Sequence, residues 1–178
     1  SLKHPCSRHL LYSAKKRYDI LIFVMKRTIL NEQIVALLDE SDMIAALSNV
    51  SACIAMNYTN INWAGFYFVK NNELVLGPFQ GKPACTHIGY GKGVCGTCWE
   101  TLKPQRIEDV LSFSGHIACD SASRSELCVP VIVNGEMVIE IDIDAPVPGR
   151  FTEEMEKEML QAAEDISSAY LQHKWSVI

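Results

Sequence analysis

Apolar and acidic residues alternate along residues 139–144, where the sequence reads Ile-Glu-Ile-Asp-Ile-Asp. Because successive side chains of a β-strand point to opposite faces of its sheet, this alternation predicts a strand with one apolar and one acidic face. The two sets are Ile139, Ile141 and Ile143 on the core side, and Glu140, Asp142 and Asp144 on the other. Three carboxyls this close either form a solvated edge or line a pocket that raises the pKa of one of them. Glu126, at the start of the preceding strand, favours the pocket.

Hairpin turns connect further strands. Asn-Gly at residues 134–135 is the strongest short hairpin signal, and two consecutive Asn residues follow Lys70 in a second tight turn. Aromatic and β-branched residues are concentrated on either side of these turns, as is typical of strands. The predicted strands are residues 62–69, 73–76, 105–110, 127–133 and 136–144. Residues 77–97 contain several glycines and are predicted to be mostly loop.

Helical periodicity precedes and follows these strands. Residues 31–38 predict a short helix, Ser41 is the predicted N-cap of a second one, and Thr152 is the predicted N-cap of the last. The apolar face of the second helix would be formed by Ile44, Leu47, Val50 and Ile54. This order predicts an α+β fold, with a central antiparallel sheet and the N- and C-terminal helices packed on one face.

Residues 1–24 differ in composition from the rest of the chain. They carry no acidic residue before Asp19 and several basic ones. We interpret them as an N-terminal extension that is either non-native or a targeting segment, because transit peptides are basic and poor in acids. Residues 25–178 are predicted to form a single catalytic domain, long enough to bury a substantial core.

Charge and cysteine content exclude several classes of function. The net charge of −5 provides no basic footprint for nucleic acid, and no apolar run approaches the ~20 residues that span a bilayer. Seven cysteines are an odd number, and we recognise no signal peptide, so a disulfide framework is disfavoured. We therefore expect a reducing compartment, the cytoplasm, in which clustered cysteines serve metal binding or thiol chemistry.

Residues 115–126 contain the densest group of reactive side chains. Cys119, His116, Asp120, Arg124 and Glu126 are separated by small residues that do not fill a core, just before a predicted strand. A loop held by a rigid sheet is a common place for catalytic residues. Loop cysteines among small residues suit a cycle in which one thiolate takes up oxygen as a sulfenic acid and a second closes a disulfide. The three cysteines predicted to lie in loops are Cys85, Cys95 and Cys119.

Zinc is the alternative use of these cysteines. Cys95 and Cys98 form a Cys-x-x-Cys pair, and the other candidate ligands are Cys85, His87, His116 and Cys119. Structural zinc sites commonly use two such pairs in series, and this chain has one. We therefore expect no metal, and interpret Cys98 and Cys128 as small apolar residues.

Four motifs carry a resemblance to a known family. They are Gly-Pro-Phe-Gln-Gly-Lys-Pro-Ala-Cys ending at Cys85, Gly-Lys-Gly-Val-Cys-Gly-Thr around Cys95, Gly-His-Ile-Ala-Cys-Asp-Ser-Ala-Ser-Arg-Ser-Glu at residues 115–126, and Asp-Ile-Asp at residues 142–144. In this order they resemble the free methionine-R-sulfoxide reductases, which consist of a single GAF domain. The resemblance runs from about residue 37 to the end of the last predicted helix.

The resemblance implies a function and a set of site residues. The reaction would reduce free L-methionine (R)-S-oxide to L-methionine through a sulfenic acid and an intramolecular disulfide, with thioredoxin as reductant and without cofactor or metal. Cys119 would be the nucleophile and Cys85 its resolving partner, while the roles of Cys95 and Cys119 stay interchangeable at this point. The implied substrate-binding residues are Glu126, Asp142, Asp144 and Trp63. GAF domains that pair through terminal helices make a homodimer the expected assembly.

Three residues depart from the family pattern. Glu140 stands where a small or apolar residue is expected, Ile139 stands where a glycine is expected, and Cys98 is an additional cysteine. Glu140 in the pocket would alter substrate affinity or pH dependence, and Cys98 could compete in disulfide exchange. The alternative functions are a GAF-type sensor that binds a small amine-bearing ligand without turnover, and a zinc-stabilised structural module.

Overall fold

A computed structural model describes residues 27–115 and 121–177. Its helices are α1 (Ile29–Leu37), α2 (Met43–Asn57), α3 (Gly93–Thr101) and α4 (Glu153–Gln172), with a 3₁₀ turn at Val110–Ser112. Its strands are β1 (Trp63–Lys70), β2 (Glu73–Gly81), β3 (His87–Gly89), β4 (Gln105–Ile107), β5 (Ser125–Val133) and β6 (Glu136–Ala145). The predicted extension at residues 1–24 lies outside the described residues, so that domain boundary stays a prediction.

The six strands form one antiparallel sheet in the order β3-β2-β1-β6-β5-β4. Both predicted hairpins are present. Asn71 and Asn72 have φ angles of 50° and 63°, and Asn134 and Gly135 have φ angles of 53° and 88°. Two central residues with positive φ are what the tight hairpin turn that matches strand twist requires, and Asn and Gly tolerate this conformation best.

The two faces of the sheet have different neighbours. Helices α1, α2 and α4 cover one face and bury the main hydrophobic core, while α3 packs against the opposite face. The inward residues of the central strands are Phe66 and Phe68 of β1, Leu127, Val129 and Val131 of β5, and Ile139, Ile141 and Ile143 of β6. The predicted α+β fold is confirmed, including its antiparallel sheet and the terminal helices on a common face.

Side-chain caps begin three of the helices. The hydroxyls of Thr28 and Thr152 accept hydrogen bonds from the first-turn amides of α1 and α4, as predicted for Thr152. The prediction for α2 was wrong by one residue. Asp42, not Ser41, is the N-cap, and its Oδ1 accepts a hydrogen bond from the amide of Ala45 at 2.9 Å.

The apolar face of α2 also differs from the predicted one. Ile44 is 50% exposed, although Leu47, Val50 and Ile54 are buried as predicted. The buried position in the first turn belongs to Ala46, which stands four residues before Val50 and is therefore on the same side of the helix.

The prediction of a loop over residues 77–97 was wrong. Strand β2 continues to Gly81, β3 follows, and α3 begins at Gly93, so that Cys95 lies on a helix and not in a loop. The glycines misled the interpretation because one of them provides close packing. A Cβ atom on Gly96 would lie 2.5 Å from the carbonyl oxygen of Gly89. No helix of the described residues is both long and apolar enough to cross a membrane.

Candidate active site

Strands β5 and β6 place three carboxyls beneath α3. Glu126 pairs with Asp144 across the two strands, and Cys128 pairs with Asp142. Glu140, Asp142 and Glu126 are only 0%, 5% and 7% exposed, and Asp144 is half-buried. The acidic face of β6 is therefore buried beneath α3 and is not a solvated edge.

Two thiols complete this group. The Sγ atom of Cys128 lies 3.2 Å from Oε1 of Glu126, 3.5 Å from Oδ1 of Asp142 and 3.7 Å from Sγ of Cys95. The Sγ atom of Cys95 lies 3.5 Å from the same Glu126 oxygen. One polar atom from each of these four residues lies within 4.8 Å of the other three. We call Cys95, Glu126, Cys128 and Asp142 the thiol–carboxyl cluster.

Burial shifts the protonation of the carboxyls. Loss of solvation, followed by the charge of Asp144, raises the pKa of Glu126 to about 8. Loss of solvation also raises the pKa values of Asp142 and Glu140 well above their ordinary range, and neighbouring carboxylates add to both shifts. At neutral pH Glu126 therefore keeps a proton that it can donate, and the protonated forms of Asp142 and Glu140 are favoured by the same burial.

Glu140 is the least solvated of the three. Neither of its side-chain oxygens has a hydrogen-bond partner among the described residues. Its surroundings include the thiols of Cys98 and Cys128 and the carboxyl of Asp142. A buried carboxyl without a partner is costly in free energy, and the neutral form reduces this cost.

The cluster thiols are held in the protonated form. A hydrogen bond from Cys128 favours the thiolate of Cys95, but burial and the charges of Asp142, Glu140 and Glu126 outweigh it and raise the pKa of Cys95 well above its ordinary value. Burial, the hydrogen bond to Cys95 and nearby negative charges raise the pKa of Cys128 as well. Because the thiolate is the nucleophilic form of cysteine, neither is activated for attack in this environment.

Aromatic rings form one wall beside the cluster. Trp63 stacks on Phe79 and on Tyr67, with ring centroids 5.2 Å and 6.0 Å apart, and its Nε1 donates a hydrogen bond to the carbonyl of Lys82. The hydroxyl of Tyr67 donates to the carbonyl of Cys85 at 2.9 Å. Trp63 and Tyr67 belong to the same buried apolar group as Cys95 and Cys128, so the rings are fixed in position next to the thiols.

The C-terminal part of the loop over residues 115–126 is anchored on both sides. The guanidinium of Arg124 donates to the Asp109 carboxylate at 2.8 Å, and the backbone amide of Arg124 donates to the carbonyl of Ala145. The backbone carbonyl of Arg124 accepts a hydrogen bond from the amide of Val110. His116 and Cys119 lie outside the described residues.

The sequence and fold of this site have known relatives. The GAF domain family matches residues 34–170. The free methionine-R-sulfoxide reductase of Escherichia coli (strain K12) is 51% identical over 122 residues, which are 68% of this chain and 74% of that protein. The chain belongs to the free methionine-R-sulfoxide reductase family.

Two solved structures support this assignment. The fRMsr of Staphylococcus aureus in complex with substrate superimposes with a TM-score of 0.75 at 44% identity, over 79% of this chain and 93% of that one. The free methionine-R-sulfoxide reductase from Neisseria meningitidis in complex with its substrate gives a TM-score of 0.79 at 34% identity, over 82% and 88% of the two chains. The resemblance inferred from the four motifs is confirmed.

The structure brings together most of the residues that the reductase resemblance assigns. Glu126, Asp142 and Cys95 meet in the thiol–carboxyl cluster, and Asp144 is the cross-strand neighbour of both Glu126 and Trp63. Cys85 is disulfide-bonded, whereas the other four described cysteines are free thiols. Those four are Cys53, Cys95, Cys98 and Cys128.

Two cysteine interpretations from the sequence need revision. Cys98 and Cys128 are buried as small residues should be, but both lie against carboxyls of this reductase-family site. The sequence contained a signal for Cys128: it stands two residues after Glu126 on a strand, and residues two apart share a face. Of the zinc ligands considered from the sequence, His87 is exposed and pairs with Glu73, whereas Cys95 and Cys98 are buried.

Proposed function

We propose that this chain reduces free L-methionine (R)-S-oxide to L-methionine. The observation that carries the proposal is the buried group of carboxyls with raised pKa values beside cysteine thiols. Relatives that are 51% and 34% identical over the aligned residues bear the name of this activity, and the second was solved in complex with its substrate. Because the sulfoxide oxygen is a poor leaving group, attack on sulfur needs a proton donor, and a carboxyl that is still protonated at neutral pH provides one.

Glu126 is the proposed acid for this step. Its raised pKa of about 8 lets it keep a proton at neutral pH. Its Oε1 lies within 3.5 Å of two thiols, which places the acid where the sulfur chemistry would occur. Asp142 shares this environment and is the proposed second carboxyl of the pocket.

Recognition of the free amino acid is the second task of the acidic pocket. Asp144 is half-buried and lies at the more exposed end of the acidic face, next to Glu126 and Trp63. We assign the α-ammonium of the substrate to the carboxylate of Asp144, and the thioether end to the wall that contains Trp63. A methionine sulfoxide within a polypeptide has an amide in place of the ammonium, so it brings no positive charge to the acidic group of Glu126, Asp142 and Asp144.

The three cysteines divide the chemistry. Cys119 is the proposed nucleophile: its thiolate attacks the sulfoxide sulfur, the oxygen is transferred with one proton, and methionine leaves a sulfenic acid on Cys119. The thiol of Cys85 then attacks that sulfur, releasing water and forming a disulfide between Cys85 and Cys119. The resolving role of Cys85 is supported by its being disulfide-bonded in the structure. The neighbouring carboxyls disfavour a Cys95 thiolate, so Cys95 is the proposed hydrogen-bonding thiol of the pocket and not the attacking one.

Recycling and assembly complete the proposal. A thioredoxin dithiol reduces the disulfide by exchange, becoming oxidised itself, in a reducing compartment such as the cytoplasm. No metal or organic cofactor takes part.

The proposed assembly is a homodimer in which two chains pair through their terminal helices. A sedimentation measurement on the reduced chain would test it.

The deciding experiment is a thioredoxin-coupled turnover assay on the separated R and S epimers of free methionine sulfoxide. A peptide containing methionine sulfoxide is the matched control substrate. We expect consumption of the free R epimer alone. Binding of the epimer without turnover in fully reduced chain would reject the reductase and leave a GAF-type sensor.

A further inference from the structure

We propose that the thiol–carboxyl cluster is a zinc site, in which Cys95, Glu126, Cys128 and Asp142 bind one Zn²⁺ ion. Bound zinc would occupy the pocket and exclude the sulfoxide, so that the cation acts as a reversible inhibitor. This inhibitory effect rests on the proposed reductase function, whereas the metal site itself does not.

The distances within the cluster match the shape of a zinc site. Zinc binds thiolate sulfur at about 2.3 Å and carboxylate oxygen at about 2.0–2.2 Å in a tetrahedron, whose edges are therefore about 3.3–3.8 Å long. The four contacts measured here are 3.2, 3.5, 3.5 and 3.7 Å. The remaining pairs of ligand atoms lie within 4.8 Å. A cation at the centre would need only small side-chain movements.

The ligand types select the metal. Mg²⁺ and Ca²⁺ prefer oxygen ligands in larger coordination shells, whereas zinc accepts mixed sulfur and oxygen ligands with four-fold coordination. Two of the four ligand atoms here are cysteine sulfurs. A borderline-soft dication is therefore favoured over the hard dications.

Glu140 is an independent observation that points to a cation. Its carboxyl is fully buried, and its oxygens accept no hydrogen bond from an N–H or O–H donor among the described residues; their polar neighbours include the thiols of Cys98 and Cys128. It shares the strand face of Asp142 and lies next to the thiol of Cys128. Outer carboxyl groups around zinc sites orient the ligands and add negative charge near the ion, so zinc would give this carboxyl a role that the described chain does not supply.

The two cluster thiols are available in the disulfide-bonded chain. Cys95 and Cys128 are free thiols while Cys85 is disulfide-bonded. Zinc binding breaks the two S–H bonds and the O–H bonds of whichever cluster carboxyls are protonated, releases those protons to solvent and forms two Zn–S and two Zn–O bonds, without any change in oxidation state. Zinc binding therefore does not require the Cys85 disulfide to be reduced.

The test begins with cobalt, which replaces zinc and is visible. The full chain is treated with chelator and a phosphine reductant, then titrated with Co²⁺ and back-titrated with Zn²⁺. We expect one Co²⁺ per chain, with tetrahedral ligand-field bands and a thiolate-to-cobalt charge-transfer band that zinc abolishes. Absence of the charge-transfer band would overturn the site.

Cysteine variants identify the ligands. Cys128→Val should halve the charge-transfer intensity per bound cobalt and weaken binding at least about 100-fold, since loss of even an outer partner costs about 10–100-fold. Cys53→Ser removes a thiol of α2 that lies outside the cluster and should change neither quantity. Cys98→Ala should also leave the intensity unchanged. Cobalt binding that survives Cys128→Val but is lost in Cys98→Ala would overturn the proposed ligand set.

Glu140→Gln tests the contribution of the outer carboxyl, because it leaves the four proposed ligands in place. We expect about tenfold weaker binding with an unchanged charge-transfer intensity per cobalt, because both thiolates remain. Unchanged affinity would remove Glu140 from the proposal.

Turnover gives the last readout. Zinc should inhibit sulfoxide reduction, and a chelator should restore the rate. For Cys128→Val, measured against its own rate without metal, the same fractional inhibition should require at least about 100-fold more zinc than in the parent chain. Metal binding without inhibition would overturn the exclusion of substrate. If the chain turns over no sulfoxide, the cobalt titrations still decide the zinc site.

Discussion

A Cβ atom on Gly96 would lie 2.5 Å from the carbonyl oxygen of Gly89, well inside any real contact distance. Helix α3 therefore approaches β3 with only a hydrogen atom between them. The backbone carbonyl of Gly96 also accepts a hydrogen bond from the amide of Gly91 at 3.0 Å. Because Cys95 precedes Gly96, this contact sets how far the thiol reaches towards Glu126.

Gly96→Ala should therefore damage both the fold and the site. The methyl group would push α3 away from β3, and overpacking of this kind costs about 1–3 kcal/mol of unfolding free energy. Urea unfolding and turnover by the same preparation would measure both effects. Gly89→Ala is the matched control, because its Cβ meets only the flexible Lys92 side chain at 3.3 Å. Equal losses in the two variants would contradict the close approach at Gly96.

Glu126→Gln should abolish proton donation while keeping the shape of the side chain. We expect the turnover number to fall about 10²–10⁴-fold, the usual contribution of a positioned acid. Steady-state kinetics on the free R epimer would measure it. Glu136→Gln, on the exposed start of β6, is the control and should retain the parent rate. A change confined to KM would mean that Glu126 binds substrate without donating the proton.

The cysteine roles can be separated in a single turnover without reductant. Cys85→Ser should release about one methionine per chain and stop at a sulfenic acid, because no resolving thiol remains. Cys119→Ser should release none, while Cys95→Ser should still release methionine because its thiol is not the attacking group. Quantification of methionine and chemical trapping of the sulfenic acid would measure these outcomes, with Cys53→Ser as control. The reverse pattern for Cys95 and Cys119 would exchange their assignments.

Stability should depend on pH through the buried carboxyls. Their pKa values are raised in the folded chain, so between about pH 4.5 and the folded-state values the folded form holds protons that the unfolded form has released. The unfolding free energy should therefore fall as pH rises through this window, which extends to about pH 8 for Glu126. Each such proton contributes about 1.4 kcal/mol per pH unit.

Glu140→Met tests this dependence at one position. It removes the buried carboxyl, so the slope of unfolding free energy against pH should become shallower by up to one proton, and the chain should be more stable at pH 7 by roughly 1–3 kcal/mol. Urea unfolding between about pH 5 and pH 8 would measure both, with Glu136→Gln as the control. Parallel slopes in the parent chain and Glu140→Met would mean that Glu140 is ionised when folded. The negative charge of Glu140 would then have to be tolerated by its ionisable neighbours, which include Asp142, Cys98 and Cys128.

Local chemistry made much of the fold predictable. Asn134 and Gly135 specify their turn because each tolerates positive φ, and the alternation along residues 139–144 specifies which side chains face the core. Helix α3 was missed because glycine usually breaks helices, and the contact that requires Gly96 is made with the backbone of the preceding strand, β3. Such a requirement depends on three-dimensional packing and leaves no local pattern.

The site, like the fold, could be predicted only in part from the sequence. The acids of β6 and Glu126 were found because strand alternation and the family motifs agree. Cys128 was overlooked because cysteine on an apolar strand is most simply a small hydrophobic residue. Its contact with Cys95 depends on where α3 crosses the sheet, which the strand pattern does not contain. Ser41 and Asp42 illustrate the same limit, since two adjacent good caps can be told apart only by the helix that forms.

The hairpin of β5 and β6 supports the hydrophobic core and the acidic pocket with alternate residues of the same two strands. A slip of one residue in their pairing would move carboxyls into the core and isoleucines into the pocket at the same time. No partly folded form could therefore keep the chemistry while losing the packing. The cluster thiols therefore meet their carboxyls only in a chain in which β5 and β6 pair in the native register.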